Sequence, residues 1–158
     1  MKRWRIPQSG DEWFHRAVRY LARFDRTAAQ VERFLTSKGA SATQVKQIIS
    51  RLFALRYLDD RAYALRWVET TLARRPMGAD RLKSELMAKG LDEALAQEVI
   101  FACLEGLDEE TLARLALRLN GRGPVPRERA ASLLRQRGFE EETIERIIKD
   151  CSGKERPS

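Results

Sequence analysis

Leu86-Met87-Ala88-Lys89-Gly90-Leu91 occurs in three versions along the chain. Leu35-Thr36-Ser37-Lys38-Gly39-Ala40 precedes it and Leu134-Arg135-Gln136-Arg137-Gly138-Phe139 follows it. Its glycines lie 51 and 48 residues apart, and each is followed nine and ten residues later by an aliphatic pair: Ile48-Ile49, Val99-Ile100, Ile147-Ile148. Self-similarity at such a period marks a repeat architecture. A leucine, polar residues, a cation and then glycine read as the end of an amphipathic helix, with glycine taking the left-handed position that other residues resist. The residue after glycine should fold back on the leucine, pairing Leu35 with Ala40, Leu86 with Leu91 and Leu134 with Phe139. The small Ala40 makes the first contact the weakest. Lys38, Lys89 and Arg137 stand where a cation meets the last carbonyls of the helix.

Working outward, Ser41, Asp92 and Glu140 follow the glycines by two residues, and the first two are good N-caps for a further helix. Thr27, Gly78 and Pro126 precede them by twelve and are helix-start residue types. Thr27 has Gln30 and Ser41 has Gln44 in the capping-box position. Each repeat therefore contains a helix of about ten residues, a tight glycine turn and another helix, with a third helix in front. Trp13, Phe14, Ala17, Val18, Leu21 and Phe24 recur at helical spacing in the first of these, and Val45, Ile48, Ile49, Leu52 and Phe53 supply the inner face of the third. No stretch alternates with the period of a strand. The expected fold is all-α: three tandem three-helix repeats, helix-turn-helix-like, in an elongated, curved array. The expected divisions are a flexible basic arm (1–10), repeats at 11–58, 59–107 and 108–151, and a disordered tail (152–158).

The 158 residues carry 30 Lys+Arg against 23 Asp+Glu, a net charge of +7 that favours an acidic partner, nucleic acid first. Its distribution is uneven. Residues 1–58 hold 12 basic and 4 acidic side chains (+8), residues 59–107 hold 7 and 9 (−2), and residues 108–158 hold 11 and 10 (+1). Basic residues gather on the first two helices of each repeat and the turn between them. Arg23 and Arg26, then Arg74 and Arg75, then Arg118 and Arg122 stand in comparable places, backed by Arg33, Arg81, Lys83, Arg127, Arg129 and Arg135. The third helices of the later repeats are acidic, with Asp92, Glu93 and Glu98, then Glu140, Glu141, Glu142 and Glu145.

A DNA-reading helix-turn-helix sends the second helix of its pair into the major groove, where acidic side chains would be repelled. Only Gln44 to Arg51, with Lys46, Gln47 and Arg51, suits that role, which weighs against a sequence-specific repressor. Catalysis finds no support: His15 is the lone histidine, and no phosphate loop, metal-ligand spacing or nucleophile with a base is present. Asp59 and Asp60 are accounted for as helix caps. Cys103 and Cys151 each follow their glycine by thirteen residues, the place of Leu52, so both are expected in the core. No apolar run approaches membrane-spanning length and the N-terminus lacks the apolar core of a signal peptide, so a cytoplasmic protein is expected.

Arg56-Tyr57-Leu58-Asp59-Asp60-Arg61-Ala62-Tyr63-Ala64, followed by the stretch from Arg74-Arg75-Pro76-Met77-Gly78 to Lys89-Gly90-Leu91, closely resembles the middle region of the bacterial RecX regulatory proteins. Ala17 to Arg23, with Arg26 and Thr27, is similar to that family's N-terminal region, and the resemblance spans roughly residues 13 to 150. It implies a monomeric, non-enzymatic regulator of the RecA recombinase, without cofactor or metal. Such a regulator binds along the groove of the RecA filament on single-stranded DNA and suppresses ATP hydrolysis and strand exchange, placing it in DNA repair, recombination and the SOS response. Arg23, Arg26, Arg74, Arg75, Arg81, Lys83, Arg122 and Arg127 are the expected electrostatic contacts to that filament or its DNA. Weak affinity for duplex DNA is expected besides. The competing reading is an autonomous nucleic-acid-binding helical repeat protein of helix-turn-helix type, which would bind bare DNA tightly and with a steep salt dependence.

Overall fold

The computed structural model describes residues 9–121 and 123–153. Among these are nine helices and no strand: α1 (Gly10–Arg23), α2 (Ala28–Ser37), α3 (Ala42–Ala54), α4 (Asp60–Arg74), α5 (Ala79–Ala88), α6 (Glu93–Leu104), α7 (Glu109–Leu119), α8 (Arg127–Gln136) and α9 (Glu141–Gly153). The all-helical reading therefore holds. The chain divides into two compact units, one reaching Tyr63 and taking in Ala88–Asp92, the other made of Ala64–Met87 and the chain from Glu93 onward. The basic arm lies outside the described residues except for Ser9 and Gly10, where Ser9 caps α1 by accepting from the Glu12 N–H at 3.2 Å. Of the expected tail, Ser152 and Gly153 are the last residues of α9 and the remainder lies outside the described residues.

In the first unit α1, α2 and α3 pack against one another around Trp13, Ala17, Val31, Leu35, Ile48 and Leu52. Thr27 and Ser41 form both sides of their capping boxes, with Gln30 and Gln44 returning the bond. At the end of α2 the Gly39 N–H donates to Thr36 O and the Ala40 N–H to Leu35 O, both at 3.1 Å, with Gly39 at φ 104. This is the two-bond Schellman geometry, and it forms although Ala40 supplies little apolar surface. In the second unit α7, α8 and α9 pack together on Leu112, Ala116, Leu134, Phe139, Ile144 and Ile147. Gly138 and Phe139 close α8 in the same way, donating to Arg135 O at 3.0 Å and Leu134 O at 3.1 Å.

The glycine turn has a second duty that helix termination does not require. In the first unit the Thr27 hydroxyl, at the start of α2, donates to the carbonyl of Lys89 at 2.7 Å, and a Cβ on Gly90 would run into the Cβ of Ala29. In the second unit the Gly78 N–H, at the start of α5, donates to the carbonyl of Arg137 at 2.8 Å, and a Cβ on Gly138 would lie 2.5 Å from that of Arg81. Each time, a second helix of one repeat begins on the glycine turn of the next. Gly78 is pressed from the other side, since its own Cβ would meet the carbonyl of Gly138.

The two aspartates after Leu58 are both caps, but of different helices. Asp59 accepts from the Ala62 N–H at 3.0 Å and starts α4, whereas Asp60 accepts from the Ala28 N–H at 2.9 Å and caps α2 from outside. Burial, reinforced by the charge of Asp59, pushes the Asp60 carboxyl above its usual range, although the Ala28 hydrogen bond opposes this.

Four residues that the spacing places on a core face, Phe24, Phe53, Cys103 and Cys151, are not buried. Phe24 is 63% exposed, because the chain turns to an extended conformation there (φ −146, ψ 143) and carries the ring off the helical face it would have shared. Phe53, near the end of α3, is half exposed. Cys151 is exposed and Cys103 only half buried, while Leu52 is wholly buried, so the position is not equivalent in the three third helices.

Gly138→Ala and Gly106→Ala separate the turn's two duties. Both glycines have positive φ (75 and 76), but a Cβ on Gly106 meets nothing. Gly106→Ala should cost about 1–2 kcal/mol, the strain of a left-handed alanine, and Gly138→Ala on the order of 3 kcal/mol or more through added steric conflict; urea unfolding measures both. For Asp60 the sign follows from its raised pKa. The folded state holds the proton more tightly than the unfolded chain, so stability declines as pH rises from the unfolded value through the folded one. Asp60→Asn keeps an acceptor for Ala28 and should abolish that decline, whereas Asp60→Ala should lose about 1 kcal/mol of capping; thermal unfolding across pH 3 to 7 distinguishes them.

Candidate partner interface

In the first unit, Arg23 ends α1 exposed to solvent, and Arg26 lies in the following loop half buried. The Arg26 guanidinium sits over two rings, 5.2 Å from the centroids of both Tyr20 and Phe24. Tyr20 is itself stacked on Phe34 of α2, with centroids 4.0 Å apart and planes within 4°, and the Lys38 ammonium lies 5.9 Å over Phe34. Sequence reading singled out Arg26 but not these rings. Their signal was present: aromatic residues at 20, 24 and 34 interleave with cations at 23, 26, 33 and 38. Arg51, the end of the one basic third helix, is committed elsewhere, ion-paired to Asp11 at 2.8 Å and stacked 3.9 Å from Phe14.

In the second unit Arg74 is the last residue of α4 and Arg75 follows it; both are exposed, above a buried Pro76-Met77-Gly78 turn. Arg127 opens α8 and is exposed. Among the described residues, Arg23, Arg74, Arg75 and Arg127 have no carboxylate partner. Arg81 and Lys83 differ: Arg81 pairs with Glu85 at 2.7 Å and Lys83 with Glu93 at 3.3 Å. Exposed pairs of this kind contribute little and break readily for a better partner. Arg122 lies outside the described residues. Arg135, one of the supporting cations, pairs with Glu141 of the acidic third helix, and Arg114 bridges Glu110 at 2.6 Å and Asp150 at 2.5 Å. Much of the acidity of α9 is thus answered within its own repeat.

Arg137 is the residue whose role the sequence misplaced. It stands where Lys38 and Lys89 stand, yet it is only 7% exposed and reaches beyond its own helix end. Nη1 donates to the Pro76 carbonyl at 3.4 Å and Nη2 to Asn120 Oδ1 at 3.2 Å, tying the Arg74-Arg75-Pro76 turn to the C-cap of α7. Burial, helped by the nearby charge of Arg75, lowers the pKa of the guanidinium. A lysine could not span both acceptors, since the planar fork is what fits them. Asp59, Asp60 and His15 take up no chemical constellation. His15 is exposed and packs edge-on to Phe14 at 5.9 Å, and no group of three His, Cys, Asp or Glu that could hold a metal occurs among the described residues. Among those residues, no helix is long and apolar enough to cross a membrane.

Comparison with known proteins places this arrangement. Residues 59–100, which include the middle glycine turn, match the family model described as RecX, second three-helix domain. The regulatory protein RecX of Chlorobaculum tepidum is 31% identical over 144 residues, covering 88% of each chain. That of Thermus thermophilus is 37% identical over 130 residues, covering 82% of this chain and 85% of the relative. The crystal structure of RecX from Lactobacillus salivarius superposes with a TM-score of 0.72 at 26% identity, over 90% of this chain and 96% of that one. With relatives above 30% identity matched over most of their length, this chain belongs to the RecX family of regulatory proteins.

Proposed function

We propose that this protein binds the RecA filament on single-stranded DNA and inhibits its ATP hydrolysis and strand exchange, by blocking filament growth or promoting disassembly, as a cytoplasmic monomer acting in repair, recombination and the SOS response. The observation that carries the reading is the set of exposed arginines, Arg23, Arg74, Arg75 and Arg127, left without carboxylate partners among the described residues of a member of a family of regulators. Arginine that is unpaired in the free protein is available to a carboxylate or phosphate on a partner, and its planar donors suit both. Repeats at 11–58, 59–107 and 108–151 would present these side chains at successive stations. Nothing in the constellation calls for a reaction at a covalent bond, which agrees with relatives named as regulatory proteins.

An autonomous nucleic-acid binder is the second reading, favoured by the charge of +8 on residues 1–58. It requires tight binding to bare DNA, with a slope of log K against log salt of about −0.9 per phosphate neutralised on duplex.

Replacing Arg74, Arg75 and Arg127 together by alanine should leave the helical circular dichroism unchanged. The concentration needed to halve RecA ATP hydrolysis on single-stranded DNA should rise about tenfold or more, the loss of a few charge-assisted contacts. Full inhibition by the triple variant at moderate salt would overturn the reading. If the wild-type protein halts turnover only at concentrations that coat the same DNA without RecA, the autonomous binder is correct instead.

A further inference from the structure

The Tyr20–Phe24–Arg26–Phe34 cluster is built for more than holding α1 to α2. A single exposed ring on a protein surface is ordinary. Here, however, Phe24 is 63% exposed beside a guanidinium that also lies over Tyr20, itself stacked on Phe34. The Arg26 Nε is buried without a hydrogen-bond partner, and the guanidinium lies over the rings of Tyr20 and Phe24. Lys38 is a second such cation over Phe34, and Arg23 a third at the helix end. Asp25 is the one acidic side chain between Arg23 and Glu32, and its charge acts on Tyr63. The whole cluster lies within the stretch that carries +8.

The exposed ring of Phe24 and the cations beside it, Arg26 and Arg23, match the two needs of a flexible polyanion with planar side groups. We propose that this cluster is a base-stacking site for single-stranded nucleic acid, in which an unpaired base lies on the open face of Phe24 while Arg26 and Arg23 meet the flanking phosphates. Aromatic stacking of this kind accepts any base, because every base has a π-face, and excludes bases already stacked in a duplex. Such a contact rests on the reading above, that the chain works where single-stranded DNA is exposed. Binding to bare DNA and inhibition of RecA are separate measurements, so either can fail alone.

The test is the anisotropy of three labelled probes without RecA: an oligothymidylate, an abasic strand of the same length and a duplex of that length. Phe24→Ala should weaken binding to oligothymidylate by between roughly fivefold and a hundredfold, the range of one lost base stack, with little change on the abasic strand or the duplex. Phe24→Trp should keep the affinity and add a tryptophan emission that the oligothymidylate quenches. Because the ring is exposed, melting temperature should not move in either variant. Equal loss on the base-bearing and abasic strands would overturn the proposal, showing that Phe24 acts through charge placement or the fold. Unchanged binding to all three probes would overturn it too, and a simultaneous loss of RecA inhibition would mark the ring as a protein contact instead.

Discussion

The fold depends on backbone approaching backbone where one repeat meets the next. A helix start is set against a glycine turn so closely that no Cβ fits on either Gly90 or Gly138, and a carbonyl of that turn accepts a hydrogen bond from the arriving helix. The turn carbonyl would otherwise be an orphan of the helix end; the arriving donor is the Thr27 hydroxyl at the first turn and the Gly78 N–H, an orphan of a helix beginning, at the second. Each satisfies the other. The arginines before Gly78 take their place from the second of these contacts, within the second unit. Arg137 strengthens the same region by clamping the turn on which Arg74 and Arg75 stand.

Electrostatics in this protein follow a division of labour by chemistry more than by count. Acidic side chains of the third helices are largely paid into local pairs such as Arg135–Glu141 and Arg146–Glu142. Of the cations without a carboxylate partner among the described residues, Arg23 and Arg74 end their helices, where they also oppose the negative end of a helix dipole, whereas Arg127 opens α8.

Much of this was legible in the sequence because it was written three times. The glycine spacing, both capping boxes and the Schellman closures follow from residue types whose preferences are local, and the family resemblance rested on the same stretch. What escaped was decided by tertiary distance. Nothing near Gly90 in the chain reveals that Ala29 will press on it, since 61 residues separate them. Phe24 satisfies the helical period and was read as core, but the backbone leaves the helix at that residue and the period ceases to apply. Arg137 looked like its lysine counterparts because sequence reports charge and not which acceptors lie within reach. Equivalence between repeats also misleads at Cys151, which is exposed although the matching Leu52 is wholly buried.

The seam contact is directional, and its third instance is chemically disarmed. Thr27 donates through its hydroxyl and Gly78 through its N–H, but the residue in the same place in the third repeat is Pro126, which has neither. It caps α8 without a side-chain hydrogen bond. Proline at this position withholds the donor that Thr27 and Gly78 supply, so the contact made at the start of α2 and of α5 cannot be made in the same way by the residue that starts α8.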